Sequence, residues 1–288
     1  MMGYIYLILA MCSSASLSIM STLFGRFNKS KNISGLYSLI LTATALVMWG
    51  IICLYEGEIN ISVIKYSLLF GVFYTVAMIG MFKAYQTGSV SLTAFVKQLS
   101  LIGVAFWGLV FWDNPLTSNV IVGLILIVIA LYLCFRPDNK DTKKFTFAWL
   151  LYALMLLVGN AGCSIVQKYQ QLEFDGNYKS LFMLFGAAVA FISSAVFYFC
   201  GNRYSFKDIN LKTVICPVVG GISSATLNLL ILLLITSPLS ESVIFPGIAV
   251  GGLVLTTIFS VIAYKEKMSI LQWCGLMVGV VALVLLNI

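Results

Sequence analysis

Apolar residues run along this chain in ten stretches, at about 3–25, 35–55, 64–86, 90–112, 117–135, 147–168, 179–200, 212–235, 241–263 and 269–287. Each is about as long as the roughly 20 residues an α-helix needs to cross the hydrocarbon core of a bilayer. Between them lie short polar connections. The pattern predicts an all-α integral membrane protein with ten transmembrane helices. The first stretch runs on to about Phe24 with no Lys or Arg before it, so it reads as a retained span rather than a cleaved signal peptide.

Polar residues inside these stretches fall on helical faces. Ser14, Ser18 and Ser21 are spaced i, i+4, i+7, and so are Asn160, Ser164 and Gln167. Thr93, Lys97, Ser100 and Trp107 share one face of the fourth stretch, and Tyr74, Met78, Met81 and Tyr85 share one face of the third. Ser224 and Asn228 stand one turn apart in the eighth. Phe245, Gly252, Thr256 and Ser260 recur along the ninth. Lys97 is the only charge well inside a span. A charge at that depth costs a few kcal/mol or more, so it either lines a cavity or reaches back to the headgroups. For a single Ser or Thr the competing reading is a bond to its own helix carbonyl. Asn and Gln are costlier to bury unpaired.

The two halves read as copies. Residues 116–133 parallel 268–285 with Gly123 on Gly275, and 13–19 parallel 159–165. The most highly charged connection, 136–146, divides a first unit at 1–135 from a second at 147–288. Five spans per unit turn the second copy over relative to the first. Such inverted repeats are a transporter architecture with the substrate site at the repeat interface. Of the basic residues, Arg26, Lys29, Lys31, Lys83, Arg136 and eight others collect on one side, against Lys65, Lys168 and Lys179 on the other. That places the odd-numbered loops in the cytoplasm.

Composition narrows the chemistry. The chain has 288 residues, 61% hydrophobic and 9% charged, with no histidine. A net charge of +7 carried mostly by loops is a topology signal and not a nucleic-acid footprint. The seven cysteines form no C-x-x-C pair and read as small buried apolar residues, with no metal or cofactor implied. No paired carboxylates, nucleophile motif or Walker sequence supports an enzyme or an ATP-driven pump.

Each half also carries a short acidic turn before its last span. The second reads Tyr264-Lys265-Glu266-Lys267-Met268-Ser269, then Gln272 and Gly275; the first reads Phe111-Trp112-Asp113-Asn114-Pro115-Leu116-Thr117, then Gly123. With the duplication, these turns resemble the EamA-type transporters of the drug/metabolite transporter superfamily. In the first copy the family's usual glutamate falls on Asn114. The resemblance implies a central cavity lined by spans one, three, four, six, eight and nine. The candidate substrate-binding residues are then Ser14, Ser18, Tyr74, Met78, Thr93, Lys97, Ser100, Trp107, Asn160, Ser164, Gln167, Ser224, Asn228, Phe245 and Thr256. The expected function is secondary active transport of a small polar metabolite, such as an amino acid or another carboxylate, across the cell (inner) membrane. The partners are the substrate, the lipid bilayer and a coupling proton or counter-substrate, with no nucleic acid, and a monomer suffices. The alternative is a proton-coupled exporter of organic cations or drugs, which would have to use aromatic faces because the first span holds no acid.

Overall fold

The computed structural model describes residues 2–27, 33–57, 59–111, 117–135, 146–200, 211–235, 237, 241–265 and 268–285. Among them the chain forms α1 (Met2–Phe27), α2 (Ile33–Glu56), a 3-10 turn (Ile61–Val63), α3 (Ile64–Thr87), α4 (Val90–Phe111) and α5 (Ser118–Phe135). The second half forms α6 (Phe147–Glu173), α7 (Lys179–Cys200), α8 (Leu211–Ile235), α9 (Glu241–Tyr264) and α10 (Ile270–Leu285). Among the described residues, seven helices are long and apolar enough to cross a membrane, and Ile270–Ala282 is a shorter apolar helix. The protein is therefore an all-helical, multi-span membrane protein.

Nine of the helices begin and end within about two residues of the apolar stretches. The exception is α6, which runs to Glu173, five residues past the polar boundary at 168. Its Gln170 is fully buried and donates from Nε2 to the Asn177 carbonyl at 2.9 Å. The chain then leaves through Asp175, Gly176 and Tyr178, all at positive φ. The K-Y-Q-Q-L-E run looks like a loop by hydropathy, but its glutamines turn inward and continue the helix. At the other terminus of the fold, Ser269 and Gln272 cap α10 reciprocally: Ser269 N–H donates to Gln272 Oε1 at 3.0 Å and Gln272 N–H to Ser269 Oγ at 3.2 Å. Asp113, Asn114 and Glu266, the acidic-turn positions, lie outside the described residues, as does the 136–145 linker.

The helices pack in cross-half pairs: α3 on α6, α1 on α8, α5 on α10 and α2 on α7, with further contacts of α3 to α7, α2 to α8, α1 to α9 and α4 to both α6 and α9. Small residues set the closest approach. Gly80 on α3 sits against the backbone of Tyr152 and Leu156, and Gly159 on α6 against the backbone of Ala77. Phe24, Tyr37 and Phe82 form a three-ring cluster joining α1, α2 and α3, with centroids 4.9 to 5.5 Å apart.

Polarity is distributed inside out. Ile8, Val47, Ile51, Leu69 and Ile192 are exposed, whereas Ser14, Ser18, Thr42, Ser67 and Gln170 are buried. This suits a molecule whose surroundings are lipid, since polar groups there must find partners within the bundle. The cysteines depart from expectation. Cys163 and Cys216 are buried, but Cys12, Cys200 and Cys274 are exposed. On a lipid-facing surface a thiol behaves as a small apolar group and needs no burial in protein.

Candidate functional site

Lys97 is positioned by the start of its helix. Ser89 precedes α4 and its hydroxyl accepts from the Leu92 N–H at 3.2 Å. One turn in, Thr93 receives the Trp149 indole N–H at 3.1 Å and donates to the Ala84 carbonyl at 3.4 Å. This clasp fixes α4 against the end of α3 and the start of α6. The next turn carries Lys97, only 7% exposed. Its ammonium donates to Ser14 Oγ (3.3 Å), the Ser14 carbonyl (3.4 Å) and Ser18 Oγ (3.2 Å). The side chain thus turns onto α1 instead of reaching to the headgroups. Among the described residues no carboxylate pairs with it; the salt bridge found there joins Lys65 and Glu173 at the exposed ends of α3 and α6.

Lys97 opens on a cavity of about 110 Å³. Six helices supply its walls: Ser14 and Leu17 from α1, Tyr74 and Met78 from α3, and Ser100 beside Lys97 from α4. From α6 come Asn160, Cys163, Ser164 and Gln167; from α8, Ser224, Leu227, Asn228 and Ile231; from α9, Ile248 and Ala249. These are the six helices the sequence resemblance implies.

The polar wall is pre-set by a chain of hydrogen bonds across three helices. The Tyr74 and Ser224 hydroxyls pair at 2.7 Å, Asn228 Nδ2 donates to the Ser224 carbonyl at 2.8 Å, and Gln167 Nε2 donates to Asn228 Oδ1 at 2.9 Å. The Asn160 amide and the Ser164 hydroxyl line the same space and make no side-chain hydrogen bond among the described residues. They are half-buried and free to meet a ligand. Removing the Tyr74 hydroxyl (Tyr74→Phe) is expected to cost about 0.5–1.5 kcal/mol, the net worth of one such bond, read as a lower melting temperature.

Ten of the fifteen residues anticipated from spacing line this cavity, and Ser18 adjoins it through Lys97. Three are held elsewhere. Thr93 is spent on its clasp with Trp149. Trp107 stacks on Phe111 at 4.2 Å and donates from Nε1 to the Tyr169 hydroxyl at 3.2 Å. Thr256 donates back to the Gly252 carbonyl at 2.7 Å, the self-satisfied state open to any helical threonine. The Phe245 side chain lies outside the described residues. The apolar wall of Leu17, Cys163, Leu227, Ile231, Ile248 and Ala249 was not anticipated. Apolar residues in a membrane helix give no sign of which face meets a cavity. Among the described residues no group of three or more His, Cys, Asp or Glu side chains is placed to hold a metal.

The fold and this cavity define a class: a multi-span α-helical membrane protein with an internal cavity that is partly polar. Residues 1–136 match the EamA-like transporter family, and over this half the chain carries that family's signature. The match agrees, over residues 1–136, with the family resemblance read from the sequence, and that family is one of transporters and not of enzymes. No curated protein matches the chain. Among solved structures 28 chains match. One crystal structure, described only as that of a protein, has a TM-score of 0.62 at 14% identity, covering 98% of this chain and 95% of that one. At that identity the likeness is one of fold.

Proposed function

We propose that the protein is a secondary transporter that works by alternating access. It moves a small carboxylate, or another anionic or zwitterionic metabolite, across the cell membrane. The observation that carries this reading is Lys97: a buried ammonium on the wall of a cavity, held by neutral oxygens, with no carboxylate beside it among the described residues. Such a group is completed by a negatively charged ligand.

The reading takes the molecule as ten spans in two inverted copies, 1–135 and 147–288, joined by the linker 136–146. Helix packing supports it. Exchanging each helix for the one five places along turns α1–α8 into α6–α3, α1–α9 into α6–α4 and α2–α8 into α7–α3, and each of these pairs is present. The pairs α2–α7, α4–α9 and α5–α10 map onto themselves. This symmetry of contacts supports a two-fold relation between the halves. The family match ends at residue 136, beside the same boundary. Rocking one half against the other would open the cavity alternately to each side. A coupling proton or counter-substrate drives the cycle, and a single chain holds the whole pathway. Arg26, whose guanidinium lies 3.5 Å from the Tyr264 ring centroid, ties the ends of α1 and α9 on the side assigned to the cytoplasm. Lys65 and Tyr66 bind Glu173 on the other.

A thermal-shift screen of the purified chain, wild type beside Lys97→Gln, tests the reading with amino acids, organic and phosphorylated acids, and quaternary amines. A ligand that binds only the folded state raises the melting temperature. Stabilisation of wild type alone by an anion or zwitterion is expected. Stabilisation by organic cations only, equal in both proteins, would replace this reading with that of a cation exporter.

A further inference from the structure

The charge, size and mixed polar and aliphatic lining of the cavity narrow its cargo further. Resting on the transporter reading above, we propose that the site selects short-chain monocarboxylates. It prefers those with a 2-hydroxyl group over the corresponding 2-amino acids, dicarboxylates and phosphate esters.

The charge argument is a count. Among the described residues, Lys97 is the only charged side chain on the cavity wall. One carboxylate makes the occupied site neutral. A 2-amino acid brings its own ammonium, and among the described residues the lining holds no Asp or Glu to receive it. A dicarboxylate leaves one negative charge without a partner. An uncompensated charge away from water is strongly disfavoured, so both lose affinity relative to the monoanion. The bonds that hold Lys97 in the meantime are weak. At 3.2 to 3.4 Å they are longer than the about 2.7–2.9 Å usual for an ammonium with a charged oxygen. A carboxylate can displace them.

The rest of the lining fits the remainder of such a molecule. The Asn160 amide both donates and accepts and has no side-chain hydrogen bond among the described residues, which suits a neutral hydroxyl beside the carboxylate. In the same cavity, Leu227, Ile231 and Ile248 offer an aliphatic surface for the carbon chain. The volume of about 110 Å³ is smaller than the about 150 Å³ of an engineered cavity that holds benzene. That favours skeletons of about three to five carbons over aromatic acids.

Calorimetric titration of the full chain in detergent with propanoate, 2-hydroxypropanoate, alanine and butanedioate tests the proposal. Expected is tightest binding of 2-hydroxypropanoate, with alanine and butanedioate weaker by about tenfold or more. Lys97→Met should abolish binding of all the acids. Ile231→Ala, which enlarges the aliphatic wall and leaves Lys97 in place, should raise the affinity for hexanoate relative to propanoate several-fold. Binding that depends on Lys97 but is tightest for alanine or butanedioate overturns this proposal and leaves the transporter reading intact. Binding unaffected by Lys97→Met, or no binding of any acid, overturns both.

Discussion

Lys97→Met is expected to raise the melting temperature of the ligand-free protein while abolishing carboxylate binding. The two effects have one cause. Lys97 is buried at 7% exposure and among the described residues its ammonium meets only the oxygens of Ser14 and Ser18, at 3.2 Å or more. Those bonds do not return what the charge loses on leaving water. Methionine keeps most of the stem and drops the charge; exchanges of whole buried ion pairs for apolar groups are often neutral or stabilise by about 1–4 kcal/mol, and here no partner charge is left behind among the described residues. No donor is orphaned by the change, because the Ser18 hydroxyl still donates to the Ser14 carbonyl at 3.2 Å. Binding moves the other way. Removing one member of a buried, hydrogen-bonded charge pair costs about 2–5 kcal/mol, so affinity for an anion falls roughly 30-fold or more. Differential scanning fluorimetry with and without ligand reads both. A lower melting temperature in the ligand-free variant would make Lys97 a structural tie between α1 and α4, and the ligand-site reading would lose its support.

Gly159→Ala and Gly80→Ala are expected to destabilise the bundle, each by about 1–3 kcal/mol or more, with reduced yield of monodisperse protein on size-exclusion chromatography. A Cβ on Gly159 would lie 2.5 Å from the Ala77 nitrogen, and one on Gly80 would lie 2.6 Å from the Leu156 nitrogen. Both obstacles are backbone, so no side-chain rotation relieves them and α3 must move off α6. Gly50→Ala on α2 is the control. Its Cβ would meet only Leu184 Cδ1 at 3.9 Å, an ordinary contact, and alanine favours helix. Equal melting of Gly159→Ala and Gly50→Ala would show that α3 and α6 are not held at this distance. The packing also bears on the site. Asn160 follows Gly159 on α6, and Tyr74 and Met78 stand on α3 across from it. Spreading this pair widens the cavity, so the folded fraction of Gly159→Ala should also transport less per molecule.

Helix positions were legible in the sequence because hydropathy is a strong, local signal. A helix must satisfy its own backbone inside a bilayer, and only long apolar runs bear the cost of lying there. Where a polar residue could pair within the bundle the signal failed, as at the buried Gln170 that carries α6 past its apolar stretch. The cavity's polar residues were legible for a related reason. Lys97, Asn160 and Gln167 are too costly in a span to be incidental, and their 3.6-residue spacing places them on faces.

The sequence by itself thus determined a helical membrane protein, its family resemblance and the polar half of its cavity. The tertiary structure decided which of those polar residues are held by other groups of the bundle. Spacing puts Thr93 and Trp107 on the same face as Lys97, but it does not say that Trp149 and Tyr169 reach in from α6 to bind them. Nor does it say that Thr256 closes on its own helix. The aliphatic wall was likewise decided by packing. Leu227, Ile231 and Ile248 look the same in sequence as the many leucines and isoleucines that face lipid, and only the approach of α1, α8 and α9 distinguishes them. A helical face is a one-dimensional property of the chain, whereas a partner across the bundle depends on the relative rotation and depth of two helices, which no local pattern encodes.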